Sequence, residues 1–146
     1  MIKIASLFSG CGGSDLGIQG EFTFLKKEYK KLDTKIVWAN DNDLAAVETY
    51  KENFGNHIVH KSITEIPSKE IPQHDILIGG FPCQTFSIVG QRNGLNDPRG
   101  LLFEEMVRIL KDKKPKAFIA ENVKGLVNIK KRSVLKHIIE RFFQAG

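Results

Sequence analysis

The sequence predicts an α/β fold, a doubly wound and mostly parallel sheet. Two observations point to it. Short apolar runs alternate with amphipathic, helix-length stretches along the chain, which is the pattern of strands joined by crossover helices. Several of the runs also end in glycine-rich or polar loops, and open sheets of this class bind ligands at the carboxyl ends of their strands.

Ile2 to Leu7 is the first strand, and a helix starts across Asp15 to Gln19. Glu21 to Asp33 reads as a polar, lysine-rich connector. Ile36 to Ala39 is the second strand, and Leu44 to Phe54 a helix with an apolar face. Ile58 and Val59 make a weak third strand. Asp75 to Ile78 is the fourth strand, Leu101 to Leu110 a helix, and Ala117 to Ala120 the fifth strand. Ser133 to Phe143 is the last helix, with Val134, Leu135, Ile138, Ile139 and Phe142 on one face. Thr85 to Arg99 has no strong periodicity, and long loops of this kind are often active-site lids. No repeat or low-complexity segment interrupts the pattern. The chain stops after a helix at Gly146, so the sheet is expected to be incomplete at the C-terminus.

A length of 146 residues predicts one domain spanning 1–146. The 41% hydrophobic and 27% charged content is that of a soluble globular protein. No apolar run approaches the roughly 18 residues of a membrane helix, and Met1-Ile2-Lys3-Ile4 is a strand start, not a signal peptide. Both cysteines lie in glycine-containing loops, which gives no disulfide framework. A reducing, cytoplasmic location follows, and a working thiol needs one. The net charge of +5 suits a polyanionic partner. The lysine groups at 26–31, 111–116 and 130–132 also suit solvated helix ends and loops.

Leu7-Phe8-Ser9-Gly10-Cys11-Gly12-Gly13 connects the first strand to its helix. Glycines there let the backbone approach a ligand or adopt positive φ. The dinucleotide fingerprint fails, because its sixth position is Asp15. A tight strand-helix turn and a ligand loop both remain open. Asp41 ends the second strand in Asn40-Asp41-Asn42-Asp43. An acid in that place can accept both hydroxyls of a ribose, while Asp43 is expected to cap the following helix. Further on, Gly79-Gly80-Phe81-Pro82-Cys83-Gln84-Thr85-Phe86-Ser87 follows one apolar run, and Ala120-Glu121-Asn122-Val123 closes another. A thiol and a carboxyl at two strand ends can face each other over the carboxyl edge. Pro82 fixes the turn before the thiol. Cys11 has no acid partner nearby and reads as packing.

In this order and spacing the segments resemble the cytosine-5 DNA methyltransferase family, from Ile4 to Gly146. The resemblance implies the Rossmann-like fold of the S-adenosylmethionine-dependent methyltransferases, with S-adenosylhomocysteine as product and no metal. It implies that Phe8 packs on the adenosine, and that Gly10, Cys11, Gly12 and Gly13 line the methionine part. Ser62-Ile63 stands where relatives carry Asp-Ile against the adenine, and Asn42 where some carry a large side chain. Leu102 joins the same cofactor set. Cys83 is the implied nucleophile and Glu121 the acid. Gln84 and Ser87 position the loop or the target nucleotide. Arg99 touches the target nucleotide, and Arg99 and Arg92 are candidates for phosphate contact.

The implied partner is double-stranded DNA with its cytosine flipped out, in a bacterial restriction-modification system. The family's Gln-x-Arg-x-Arg segment, target-recognition domain and closing helix do not appear. The chain alone is therefore expected to lack site-specific activity, and to self-associate or need a second polypeptide that supplies that half. A non-catalytic cofactor- or partner-binding remnant is the rival reading. A transfer-RNA methyltransferase fits less well, because that branch carries Pro-Pro-Cys and this chain Phe81-Pro82-Cys83.

Overall fold

The computed structural model describes residues 1–82 and 102–146, apart from the side chains of 128–131. Five parallel strands form one sheet in the order β5-β4-β1-β6-β7. They are β1 (Ile2–Leu7), β4 (Thr34–Asp41), β5 (Ile58–His60), β6 (Ile76–Gly80) and β7 (Ala117–Glu121). Helices α1 (Gly13–Gln19), α2 (Leu44–Phe54), α3 (Leu102–Lys113) and α4 (Ser133–Phe143) connect and cover them. Strand order reverses at β1: the chain steps outward to β4 and β5, then returns to β6 on the other side of β1. The carboxyl end of β1 therefore lies at the switch point where doubly wound sheets bind ligands.

Two apolar layers show that the sheet is wound on both faces. Ile4, Ile36, Ala39, Ile58 and Ile78 pack with Val47 and Tyr50 of α2. Ala5, Leu7, Trp38 and Leu77 pack with Phe103, Met106 and Ile109 of α3 and with Ile138 and Phe142 of α4. Ile36 and Trp38 are two residues apart yet serve opposite faces. The register against β1 shifts between Ile4 and Ala5, so that Val37 is passed over. An extra residue of this kind moves every following side chain to the other face.

The lysine-rich connector is not a plain loop. It folds into a hairpin, β2 (Phe22–Phe24) against β3 (Lys27–Tyr29). The Phe22 and Tyr29 rings stack with centroids 4.7 Å apart. Leu25 and Lys26 make its turn with φ of 47° and 63°, a conformation usually given to Asn or Gly. Between β5 and β6 lie two single turns of 3-10 helix, Ile63–Glu65 and Ser68–Glu70, and Lys124–Arg132 forms a longer 3-10 stretch. The predicted apolar face of α4 divides. Val134, Ile138 and Phe142 enter the core, whereas Ile139 is 57% exposed, because α4 meets the rest of the molecule along a stripe narrower than its apolar arc.

One buried charge stands out beneath the first turn of α1. Asp15 is fully buried. Its Oδ2 accepts a hydrogen bond from Ser6 Oγ at 3.0 Å, and its Oδ1 has no partner among the described residues. Burial pushes its carboxyl up to about 6. Burial, and then the charge of Asp15, raise the nearby Tyr50 phenol, whose hydroxyl shares a hydrogen bond with His57 Nε2 at 3.1 Å.

A raised folded-state pKa means that the native protein holds a proton the unfolded chain has released. Stability from this group is then complete below about pH 4 and is lost as pH rises through about 6. We expect Asp15→Asn to remove that slope and to stabilise the protein at pH 7–8 by up to about 3 kcal/mol, at about 1.4 kcal/mol per pKa unit. Burial lowers His57 and His74, which act in the opposite sense, so the comparison is variant against wild type. Urea melts from pH 4 to 8 read it, and parallel curves would show that Asp15 is not the titrating group.

Candidate active site

The turn after β1 is built by three glycines with different tasks. Gly10 has φ +54°, and its N–H donates to Asp41 Oδ2 at 2.7 Å. Gly12 has φ +95° and is buried, and a Cβ there would lie 2.2 Å from the Phe54 ring. It lets α2 close on the start of α1. A Cβ at Gly13 would meet nothing within 4 Å. Cys11 is exposed and does not pack as the sequence suggested, because Gly12 takes the inward position beside it. Ser9 N–H donates to Asn40 O at 3.0 Å and ties the turn to β4.

The end of β4 is braced by its own side chains. Asn40 is buried, and its Nδ2 donates to Val59 O at 3.0 Å and to Lys61 O at 2.8 Å. Asp41 bridges two elements, since its Oδ1 accepts from Asp43 N–H at 2.9 Å while Oδ2 holds Gly10. Asp43 Oδ1 accepts from Ala46 N–H at 2.9 Å and caps α2, as expected. Next to these groups opens a cavity of about 270 Å³. Phe8, Asn42, Ser62, Ile63, Pro82 and Leu102 line it, and Asn40 and Lys61 complete the wall. The volume lies just below the about 300–1,000 Å³ of ligand clefts, and the wall mixes an aromatic ring and aliphatic side chains with amides and a hydroxyl. Such a lining suits an adenosine. Five side chains that the sequence named for the cofactor thus meet here, while Asp41 and Gly10 lie beside them.

The other half of the site stands on β6 and β7. Gly80 pairs with Glu121 in register. A Cβ on Gly80 would lie 3.0 Å from Glu121 Oε2, so the carboxylate lies against the main chain that leads to Phe81 and Pro82. Asn122 Nδ2 donates to Phe81 O at 2.6 Å, and Asn122 Oδ1 accepts from Val123 N–H at 2.9 Å. The amide therefore clamps the two strand ends together just before position 83. Glu121 itself is exposed. Cys83, Gln84, Ser87, Arg92 and Arg99 lie outside the described residues. Among the described residues no group of three or more His, Cys, Asp and Glu side chains could hold a metal ion, and no helix is long and apolar enough to cross a membrane.

The sequence reading missed Asn40 as a brace, Lys61 as part of the wall and Asn122 as a clamp. Asn40 and Asn122 were signalled only as amides at strand ends, and nothing in the sequence signalled Lys61.

A family model described as C-5 cytosine-specific DNA methylase matches residues 2–146. The Type II methyltransferase M.FnuDI of Fusobacterium nucleatum is 44% identical over 145 residues, 99% of this chain and 39% of its own length. M.NgoFVII of Neisseria gonorrhoeae, also a Type II methyltransferase, is 42% identical over 146 residues, 99% of this chain and 36% of its own. The chain thus spans about two fifths of such relatives. Among solved structures, a DNA modification methyltransferase encoded within an E. coli prophage superposes with a TM-score of 0.75 at 24% identity, over 99% of this chain and 38% of that one. The S. pombe Dnmt2 methyltransferase gives 0.68 at 23%, over 96% and 42%. These two likenesses show the fold.

The glycines can be told apart by stability. We expect Gly12→Ala to lose about 2 kcal/mol or more, from left-handed strain of about 1–2 kcal/mol and the overlap with Phe54. Gly13→Ala should stay level or gain about 0.4–1 kcal/mol through the unfolded chain. Equal losses in urea melts would show that the turn needs glycine at both positions.

Proposed function

We infer the function from the family to which this chain belongs, the C-5 cytosine-specific DNA methylases. Residues 1–146 act as the cofactor-binding and catalytic domain of an enzyme that methylates carbon 5 of cytosine in double-stranded DNA, in a bacterial restriction-modification system of the cytoplasm. The observation that carries this is the pairing of Gly80 with Glu121, which sets the carboxyl group beside the approach to Cys83, on the same sheet edge as the cavity and the glycine turn.

S-Adenosylmethionine supplies a methyl group on a positively charged sulfur and leaves as S-adenosylhomocysteine. Phe8, Asn42, Ser62, Ile63 and Leu102 hold its adenosine, Asp41 its ribose, and the turn from Gly10 to Gly13 its methionine part. The Cys83 thiolate adds to carbon 6 of a flipped cytosine, which makes carbon 5 a nucleophile. Glu121 holds a proton against ring nitrogen 3 as charge arrives on the ring. Carbon 5 takes the methyl group, its proton leaves to a base, and the electron pair left behind re-forms the ring double bond as the carbon–sulfur bond breaks to free the thiolate. Gln84 and Ser87 orient the loop, and Arg99 holds the nucleotide. Target choice belongs to the further length that the relatives carry, supplied in the same polypeptide or by a second one. The exposure of every residue of β7 favours such a covering partner. A non-catalytic remnant remains the second reading.

Tritiated methyl transfer to DNA, by the chain alone and by the chain completed to its relatives' length, tests the proposal. No transfer by the completed protein would leave the remnant. We expect DNA carrying 5-fluorocytosine to trap a covalent adduct, and a Cys83→Ala protein that still forms it would sink the assignment. Glu121→Gln should fold normally and lose about 10²–10⁴-fold in rate; unchanged turnover would remove Glu121 from the chemistry. Calorimetry should find weaker cofactor binding in Asp41→Ala than in Asp43→Ala, by about 1.5–3 kcal/mol for a bond to a charged group. The reverse order would exchange ligand and cap.

A further inference from the structure

Residues 61–75 run from β5 to β6 and supply one wall of the cavity through Ser62 and Ile63. They contain no strand and no α-helix. Each of their two 3-10 turns closes on itself with only two main-chain bonds, Glu65 N–H to Ser62 O at 3.0 Å and Ile66 N–H to Ile63 O at 3.2 Å in the first, Glu70 N–H to Pro67 O at 3.0 Å and Ile71 N–H to Ser68 O at 3.1 Å in the second. Such a segment has little intrinsic rigidity.

Two side chains of α3 fix it there: Asp112 Oδ2 accepts from Ser68 Oγ at 2.5 Å, and Arg108 alone reaches the main chain near the cavity wall. The Arg108 guanidinium donates from Nη2 to Ile66 O at 3.0 Å and to Ile63 O at 3.3 Å, and from Nη1 to Ser68 Oγ at 2.5 Å. Glu105, one turn back on α3, aims the group by accepting from Nε at 2.9 Å and from Nη2 at 2.7 Å. A planar fork of permanent donors suits two carbonyls and a hydroxyl at once, where a lysine offers one point charge. Leu102, at the start of the same helix, also lines the cavity. Arg108 does not reach the cavity. It sets how far the Ser62–Ile63 wall stands from the helix that carries Leu102.

We propose that Arg108 is a positioning residue for the cofactor, holding the 61–75 wall in its binding geometry from behind. This rests on reading the cavity as the S-adenosylmethionine site. The segment also buries Ile63, Ile66 and Ile71, so it stays docked without the guanidinium. What is lost is the fixed place of its main chain. A wall that is ordered in only a fraction of molecules lowers apparent affinity by that fraction.

The test uses the whole chain, with S-adenosylhomocysteine as probe in calorimetric titration and hydrogen exchange as the second readout. In Arg108→Met we expect the dissociation constant to rise about tenfold, with faster exchange at Ile63 to Ile71 and unchanged exchange in β1, β4 and β6. Arg108→Lys should fall between the two. A dissociation constant within twofold of wild type would overturn the proposal, and so would exchange that speeds up evenly across the sheet, which marks loss of stability alone. If Arg108→Met does not fold, Glu105→Gln decides: it leaves the carbonyls their donor but frees the fork, and should weaken binding about threefold. Unchanged binding there overturns the proposal. A wild-type chain that binds no probe would overturn the cavity reading itself, an outcome distinct from variants that bind as well as wild type.

Discussion

The pairing of Gly80 with Glu121 is the contact around which the site is arranged. Two glycines end β6, and each clears space for a different neighbour. A Cβ at Gly79 would come within 3.0 Å of Met106 Sδ and 3.3 Å of Leu7 Cβ, so Gly79 lets α3 and β1 close in. Gly80 leaves room for the Glu121 carboxylate instead. A slip of one residue would turn Glu121 to the opposite face and break the clamp from Asn122 to Phe81. The register is held from both ends, by the apolar layer around Leu77 and Ile78 below and by the amide clamp above.

On the cofactor side the same role falls to polar side chains that bond to main chain far away in sequence. Asn40 reaches β5, Asp41 reaches the glycine turn, and Arg108 reaches the 61–75 segment. Each satisfies main-chain groups that a ladder does not use, which is the accounting that buried or half-buried irregular segments must close. The site is therefore assembled from irregular pieces, pinned by polar side chains to regular elements.

This division explains what was legible in the amino acids. Helices Leu44–Phe54 and Ser133–Phe143 lie where their periodicity put them, because apolar spacing follows packing directly. The cap at Asp43 was legible for the same local reason. The hairpin was not. Its strands are three residues long, one of them Lys-Glu-Tyr, and its turn carries neither glycine nor asparagine. The shift at Val37 was hidden, since Ile36, Val37 and Trp38 read as a plain apolar run. Which glycine of the turn faces a helix and which faces open space depends on where Phe54 arrives. Phe8, Asn42, Ser62 and Leu102 meet only because the strand order is β5-β4-β1-β6, and no spacing in the chain encodes that order. Their names came from a resemblance, not from the periodicity.

The two halves of the site differ in how complete they are. The cofactor cavity is walled by this chain's own clamped segments. Glu121 stands on a strand whose five residues are all exposed, beside Ile119 at 54% exposure. A carboxyl group that is to hold a proton near neutral pH has to be desolvated, because burial disfavours its charged form. The described residues do not supply that burial. In the proposed reaction it must arrive with the flipped base and with whatever closes over it. Base recognition and the closing of the site over Glu121 would then be one step. Binding energy from the base would be used to assemble the catalytic state, which is the logic of induced fit.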